Sequence, residues 1–231
     1  MLEFAMIAHE QVAMTRVPGK RGADEWAEAL RARLAPTADH RPDNWRVGPL
    51  RVARDPLLAS LALESLTPAA VLVPVIDRPA GPTVLFTVRA AHLRKHAGQI
   101  SFPGGRLESA DADALGAALR EAEEEVGLAA DWVEPLGYLP DHVVLTGFLI
   151  TPIVGRVRPR AGLRLDRAEV AEVFEVPLDY LLDPGNYHRA RRQVREHEIE
   201  VTELSYGEHR IWGATAAILT SLYQLARGEL A

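Results

Sequence analysis

Hydrophobic and polar positions change their pattern near Thr67 in this 231-residue chain. Before that point, apolar residues recur at helical spacing in residues 24–34, and a capping signal introduces a second helical stretch at residues 57–66. Beyond it, short β-rich runs are separated by turn residues. We therefore predict an N-terminal extension with helices, residues 1–66, followed by one larger domain, residues 67–231.

The larger region mixes strands and helices without regular alternation. Strand-like runs are found at residues 69–76, 83–89, 135–139, 148–157, 170–176 and 196–206. The first two predict a hairpin across the turn residues 77–82. Helices are predicted at residues 113–126 and 214–227. This mixture favours an α+β fold over a doubly wound parallel sheet.

Composition excludes several classes of function. With 48% hydrophobic and 25% charged residues, the chain is typical of globular proteins, and its net charge of -6 argues against nucleic-acid or membrane partners. The chain has no cysteine, which excludes disulfides, thiolate nucleophiles and zinc sites with sulfur ligands. The sequence shows neither a basic leader segment nor a long apolar run, so we expect a cytoplasmic protein. It predicts no particular oligomeric state.

The helix at residues 113–126 carries the most informative pattern. Its apolar residues fall on one core-facing stripe, namely Leu115, Ala118, Leu119, Ala122 and Val126. Glu121, Glu124 and Glu125 fall together on a different face, where like charges cost a few tenths of a kcal/mol per pair (~0.2–0.5). A divalent cation would reverse that repulsion, and Mg²⁺ prefers oxygen ligands. Arg120 is placed to orient one of these carboxylates. A solvated acidic surface is the alternative explanation of this face taken alone.

Three glycines flank the acidic face. Gly104 and Gly105 precede the helix and let the backbone approach closely, as a carbonyl ligand or a bound phosphate requires. Gly127 is a natural residue to end the helix.

The segment that these glycines enclose resembles the signature of the Nudix hydrolases, Gly-x5-Glu-x7-Arg-Glu-U-x-Glu-Glu-x-Gly-U, where U is a bulky aliphatic residue. The matching positions are Gly105, Arg120, Glu121, Glu124, Glu125, Gly127 and Leu128. Two positions depart from it. The upstream acid is Asp111 in place of Glu, with one extra residue before Arg120, and the small Ala122 occupies the first U position.

Residues 85–105 are similar to a further signature, that of the coenzyme A diphosphatases, Leu-Leu-Thr-x-Arg-Ser/Ala-x3-Arg-x3-Gly-x3-Phe-Pro-Gly-Gly. Only the second Leu is changed, to Phe86. Arg89 at a strand end, and Arg94 with Lys95 in the next loop, place cations just ahead of the acidic helix. Guanidinium groups bind phosphate oxygens in bidentate fashion, which suits a substrate with an additional 3′-phosphate. Taken singly, the two arginines are explained as well by surface ion pairs.

The resemblance implies a Nudix fold, with a mixed β-sheet between helices in an α/β/α sandwich. It implies that Glu121, Glu124 and Glu125, together with the Gly105 carbonyl, hold Mg²⁺, for which Mn²⁺ substitutes. The residues that it assigns to substrate binding are Arg89, Arg94, Lys95, Phe102 and Gly104.

For catalysis, the resemblance implies that Glu121 or a later acid helps to deprotonate water, with Arg120 as an orienting residue. Glu169 is the candidate for the later acid and Glu172 the reserve. His92, His96 and Trp212 receive no role in the chemistry, and we expect Trp212 to lie in the core. Taken alone, the two glutamates are explained as well by charges at a strand edge, the two histidines by loop positions, and Trp212 by packing in the core.

The expected activity is Mg²⁺-dependent hydrolysis of coenzyme A or a derivative to 3′,5′-ADP and 4′-phosphopantetheine. The same chemistry on another nucleotide, such as ADP-ribose, NADH or a dinucleoside polyphosphate, is the nearest alternative. A non-catalytic nucleotide-binding module is a weaker one, because none of the three signature glutamates is lost.

Overall fold

A computed structural model describes residues 24–37, 66–93, 96–158, 162–194 and 197–230 of the chain. The helix predicted at residues 57–66 lies outside this part, apart from Leu66. Within the described ranges, no helix is both long and apolar enough to cross a membrane.

The described strands form one larger and one smaller sheet. The larger sheet has eight strands, which are β1 Thr67–Ile76, β2 Thr83–Arg89, β3 Ile100–Ser101, β4 Gly104–Arg106, β5 Val133–Tyr138, β6 His142–Val144, β7 Phe148–Val157 and β8 Val170–Pro177. The smaller sheet has three, which are β9 Tyr187–Val194, β10 His197–Tyr206 and β11 His209–Trp212. Strands β1 and β7 pair in parallel, whereas β2, β3, β4, β5, β6 and β8 join antiparallel, so the larger sheet is mixed.

Helices cover both sides of the larger sheet. The described helices are α1 Glu25–Arg31, α2 Ala114–Val126, α3 Leu178–Leu182 and α4 Gly213–Ala226, with single 3₁₀ turns at Ala130–Trp132 and Pro184–Asn186. Helix α2 packs on β1 and β4, while α4 packs on β6 and on the smaller sheet. The predicted α+β class and the sheet between helices are confirmed.

Helix α2 has clear signals at both ends. Asp113 caps its first turn by accepting a hydrogen bond from the Gly116 N–H at 2.8 Å. Gly127 ends it in the left-handed conformation, at φ 69°, and donates to the Glu123 carbonyl at 2.9 Å. Of the predicted apolar stripe, Ala118, Ala122 and Val126 are fully buried, and Leu115 and Leu119 pack against the core from partly buried positions.

The described part of the N-terminal segment packs on the edge of the larger sheet. Trp26 and Leu30 of α1 are buried, as the helical pattern predicts. Ala35 continues the sheet by forming a bridge with Tyr138 of β5. The buried Arg156 donates to Asp24 at 2.6 Å. The predicted domain boundary between residues 66 and 67 stays a prediction, because these packing contacts do not show whether either part folds independently.

Several elements were not predicted from the sequence. They are the short strands β3, β4 and β6, the strands β9 and β11, and the helix α3. Strands of two to four residues have too few positions for an alternating pattern to show. Strand β9 is rich in arginine and carries no apolar alternation that would predict a strand. Its arginines form ion pairs with Glu198, Glu200 and Glu203 of the neighbouring strand β10.

Candidate active site

The absence of a side chain at Gly105 leaves room for the Glu121 carboxylate. Strand β4 runs beside α2, and a Cβ atom added at Gly105 would overlap the carboxylate of Glu121. Gly104, at φ 154°, has no room for a side chain either, since its Cβ would overlap the Ala70 carbonyl. Its N–H donates to Glu125 Oε2 at 3.3 Å. The glycine pair therefore brings backbone and two carboxylates together, as predicted from close approach.

The three signature glutamates, which the sequence places on one face of the helix, differ in burial. The exposed fraction of the side chain is 61% for Glu124, 18% for Glu121 and 6% for Glu125. Glu125 follows the buried Ala122 by three positions on the helix, so it lies at the boundary between the apolar stripe and the acidic face. Sequence spacing shows that the three lie near one another but does not show how far the last turn of α2 is covered.

Burial and neighbouring charge shift two of these carboxyl groups. The pKa of Glu125 is raised to about 7, chiefly by burial and to a smaller extent by the charges of Glu121 and Glu169, while the Gly104 N–H and Arg89 oppose the rise. Burial also raises the pKa of Glu121, against the hydrogen bond from Arg120. Burial is the largest cause of both shifts, so removal from water makes the ionised carboxylates less favourable here. A bound cation would stabilise the ionised forms.

Arg120 is the organising cation of the site. Its guanidinium donates to both Asp111 oxygens, and its Nη1 donates to Glu121 and to Glu124 at 3.1 Å each. Its Nη2 also donates to the Arg106 carbonyl at 3.2 Å. The hydrogen bonds that it donates to Asp111 and Glu121 raise the pKa of Arg120, so it stays charged. The predicted orienting contact is present, and Asp111 is a partner that the sequence did not assign to it.

Arg89 faces the same cluster from the end of β2. Its Nη1 lies 3.8 Å from Glu125 Oε1, and its Nε is buried without a hydrogen-bond partner. Its backbone is fixed on both sides, because the Arg89 N–H donates to the Gln99 carbonyl and the Gly98 N–H donates to the Arg89 carbonyl, each at 3.0 Å. Arg94 and Lys95 lie in the loop that this pairing closes, outside the described residues. Their contact with substrate stays a prediction.

The structure separates the two candidates for the later acid. The charge of Glu169 acts on both Glu121 and Glu125, so its carboxylate is near the cluster. Its carbonyl accepts from the Ala90 N–H at 2.8 Å, directly after Arg89. Glu172 is paired with Val88 in the sheet, and its carboxylate lies 3.7 Å from Nε2 of His209 in β11. Of the two, Glu169 is therefore the acid on the side of the cluster.

The loop that carries Glu169 is attached to the end of α2. The Arg164 N–H donates to the Val126 carbonyl at 3.0 Å, and the Asp166 N–H donates to the Glu125 carbonyl at 2.9 Å. These two bonds satisfy carbonyl groups that the helix itself leaves free at its last turn. This contact could not be predicted from the sequence, since it depends on the path of the chain after β7.

Two further residues differ from expectation. Phe102 was assigned to substrate binding, but its side chain is 2% exposed and stacks on Phe86 with ring centroids 5.1 Å apart. The large apolar ring packs in the core, and the assignment of Phe102 to substrate binding stays a prediction. Trp212 is half-buried and not fully in the core, and its ring faces the Arg192 guanidinium at 5.9 Å.

The donor set fits a hard divalent cation. Glu121, Glu124, Glu125 and the Gly105 carbonyl offer oxygen atoms alone, and the raised pKa of Glu125 marks a position where positive charge is favourable. Among the described residues, no three acidic or histidine side chains already converge on one point.

Comparison with known proteins agrees with this geometry. The NUDIX domain family model matches residues 66–197. The chain is 47% identical over 154 residues to "Uncharacterized Nudix hydrolase NudL" of Salmonella paratyphi B and of Salmonella newport, which covers 67% of this chain and 80% of each relative.

Solved structures with a similar chain trace share little sequence. A Caenorhabditis elegans Ap4A hydrolase binary complex is 17% identical, with a TM-score of 0.42 over 48% of this chain and 80% of that one. The NUDIX domain of Shewanella oneidensis NrtR, complexed with ADP ribose, is 18% identical, with a TM-score of 0.40 over 54% and 83%. The family match and the curated relatives carry the assignment. The chain belongs to the Nudix hydrolase family.

Proposed function

We propose that this Nudix hydrolase cleaves the diphosphate bond of coenzyme A or a close derivative in a Mg²⁺-dependent reaction. The observation that carries the proposal is the position of Arg89. This arginine of the coenzyme A diphosphatase signature ends 3.8 Å from Glu125 of the Nudix signature, so the two motifs face one site.

The residues that would hold Mg²⁺ are Glu121, Glu124, Glu125 and the Gly105 carbonyl. When bound, the ion supplies charge neutralisation on the diphosphate and a lowered pKa for the attacking water. Sequence position alone suggested these ligands, and the close approach of the Glu121 carboxylate to Gly105, where an added Cβ atom would overlap it, supports them. Mn²⁺, which prefers similar oxygen ligands, is expected to substitute.

The chain's own side chains would act on protons and on phosphate charge. Glu121 or Glu169 accepts the proton of the attacking water, and the deprotonated water adds to one phosphorus. The bond from that phosphorus to the bridging oxygen breaks, and the oxygen leaves with the second phosphate. One water is consumed, and 3′,5′-ADP and 4′-phosphopantetheine are released. Arg120 keeps Glu121 and Glu124 in place during these steps.

Substrate choice is expected to depend on cations near the site. Arg89 lies beside the candidate metal ligands, and Arg94 with Lys95 follow in the loop that begins there. A substrate with a diphosphate and an additional 3′-phosphate is strongly negative. The protein itself has a net charge of -6, so local cations are needed to bind such a substrate. Coenzyme A has both groups, whereas ADP-ribose and NADH lack the 3′-phosphate.

Product identification tests the proposal. The purified protein is incubated with Mg²⁺ and either coenzyme A or ADP-ribose, and products are separated and weighed by mass spectrometry. We expect 3′,5′-ADP and 4′-phosphopantetheine, a higher kcat/KM on coenzyme A, and a raised KM in Arg89→Gln. Arg78→Gln, which removes a surface arginine paired with Glu175, is the matched control. Absence of 3′,5′-ADP at neutral and alkaline pH, or preference for ADP-ribose, would overturn the substrate assignment.

A further inference from the structure

Arg106 and Phe148 form an arginine–aromatic pair beside the candidate active site. The Arg106 guanidinium carbon lies over the Phe148 ring, 5.2 Å from its centroid. Arg106 is exposed and Phe148 is half-buried. Within the described ranges, the Arg106 guanidinium forms no hydrogen bond or ion pair, whereas those of Arg89 and Arg120 contact acidic side chains. The pair has no part in the reaction proposed above.

Strands β3 and β4 lie in an opening between β1 and β2. Strand β1 pairs with β7 along one whole edge, so β2 and β4 share its other edge. Strand β2 pairs with β8 along one whole edge, so β1 and β3 share its other edge. In the part of the sheet that the structure describes, β3 and β4 do not pair with each other. The unpaired edge of β4 therefore borders the opening.

Arg106 is attached to the candidate metal site but points away from it. It directly follows Gly105, with the two Cα atoms about 3.8 Å apart. Its carbonyl accepts from Arg120 Nη2 at 3.2 Å. A Cβ atom on Gly105 would point at the Glu121 carboxylate. Because side chains alternate along a strand, the Arg106 side chain lies on the opposite face of β4.

Short side chains of β1 separate Arg106 from Phe148. Arg106 is paired with Ala69, and Phe148 of β7 is paired with Thr67, two positions away on the same face of β1. The arginine side chain thus crosses β1 above these two residues to reach the ring. Since Phe148 supports one side of the guanidinium and Arg106 is exposed, the other side is open to a ligand.

We propose that the Arg106 guanidinium binds the adenine ring of the substrate by stacking, and that Phe148 positions the guanidinium. This site rests on the proposed hydrolysis of an adenine nucleotide. Guanidinium planes stack on aromatic rings and on unpaired bases. Because the opening beside β4 joins Gly105 to the face of Arg106, a nucleotide with its diphosphate at the metal site places its base on this pair. An arginine without an acidic partner is free for that contact.

Calorimetric titration with two non-hydrolysable ligands in Mg²⁺ tests the site. They are α,β-methylene-ADP and methylenediphosphonate, which has the same phosphorus groups but no base. Arg106→Gln should weaken α,β-methylene-ADP binding about 10-fold, the usual cost of losing one stacked base. Arg106→Lys should lose as much, because lysine keeps the charge but has no plane to stack. Neither variant should change the affinity for methylenediphosphonate.

Variants of Phe148 test its positioning role. Phe148→Leu should weaken α,β-methylene-ADP binding about 3-fold, the size of an exposed cation–π contact. Phe148→Tyr keeps the ring and should restore wild-type affinity. Arg78→Gln removes an arginine paired with Glu175 and is the matched control, which should leave both affinities unchanged.

Four results would overturn the proposal. They are wild-type affinity for α,β-methylene-ADP in Arg106→Gln, wild-type affinity in Arg106→Lys, an equal loss for both ligands, and a Phe148→Tyr variant as impaired as Phe148→Leu. These titrations do not require hydrolysis of coenzyme A, so they decide the adenine site even where product identification finds another substrate. A wild type that binds methylenediphosphonate as tightly as α,β-methylene-ADP would overturn the adenine site and leave the substrate assignment to product identification.

Discussion

Asp111 and Arg120 are joined by two hydrogen bonds, from Nε to Oδ1 and from Nη2 to Oδ2, each 3.0 Å long. The bonds from Arg120 lower the pKa of Asp111, with help from the Glu108 N–H, so the pair stays charged. Asp111 is also the position at which the chain departs from the Nudix signature, with a shorter acid and one extra residue before the arginine. Despite this departure, Asp111 contacts the arginine of the signature.

Asp111→Asn should reduce kcat about 10- to 100-fold with the fold intact, which is the usual cost of losing a partner that orients a metal ligand. An amide places an N–H₂ group against Arg120, which then no longer fixes Glu121. Steady-state kinetics and circular dichroism measure the two effects. Asp113→Asn is the control, because asparagine caps a helix as well as aspartate. Equal kcat in both variants would show that Asp111 does not act through Arg120.

Gly105→Ala should lower kcat about 100-fold, since a displacement of a reacting group by about 1 Å costs this much. The new methyl group would occupy the place of the Glu121 carboxylate. Gly162→Ala is the matched control, because a Cβ at Gly162 meets no atom within 4 Å. A fully active Gly105→Ala protein would mean that Glu121 is free to relocate without consequence.

Glu124→Gln tests whether the exposed member of the acidic face is a ligand. We expect a loss of more than about 100-fold in kcat, at least the cost of removing an outer-shell partner of a metal site. Glu123→Gln removes an equally charged, exposed residue one position earlier and should have no effect. Full activity in Glu124→Gln would exclude this residue from the metal site.

The buried Glu125 predicts a pH dependence of the metal-free protein. Its pKa in the folded state is about 7, above its ordinary value of 4.5. The folded state therefore holds a proton that the unfolded state releases, so this contribution to stability is complete below pH 4.5 and is lost as the pH rises to 7. The shift corresponds to a loss of about 3 kcal/mol in the free energy of unfolding.

Denaturant unfolding in a chelating buffer at pH 5 and pH 8 measures this loss. Glu125→Gln should not show it, because its amide does not titrate, and Mg²⁺ should reduce it in the wild type. The same pH dependence in Glu125→Gln and wild type would contradict the assignment of the loss to Glu125.

The long elements and the acidic helix were predictable because their patterns are local. Strands β2 and β7 have the predicted bounds, and α2 differs only in that Asp113 is its cap. What escaped prediction depends on contacts distant in sequence. The burial of Glu125, the pairing of Asp111 with Arg120 and the loop that carries Glu169 to α2 all require the folded sheet. The burial of the Phe102 ring was not predicted, because a motif position does not distinguish a core residue from a binding residue.

The catalytic, binding and metal assignments stay predictions, as do the domain boundary after residue 66 and the cytoplasmic location. Family membership gives the chemistry of the fold but not the identity of the substrate. The contacts of Arg89 and Arg120 and the charge of Glu169 near the cluster supply a physical reason for the roles assigned to these three residues.

The most direct test of the central claim is to measure Mn²⁺ binding to the acidic helix by electron paramagnetic resonance in the presence of imidodiphosphate. We expect saturable binding in the wild type and in Glu123→Gln, and at least about a 10-fold loss of affinity in Glu121→Gln and Glu125→Gln, as expected when charged contacts to the metal site are removed. Equal affinity in all four proteins would contradict the claim that these carboxylates hold the metal.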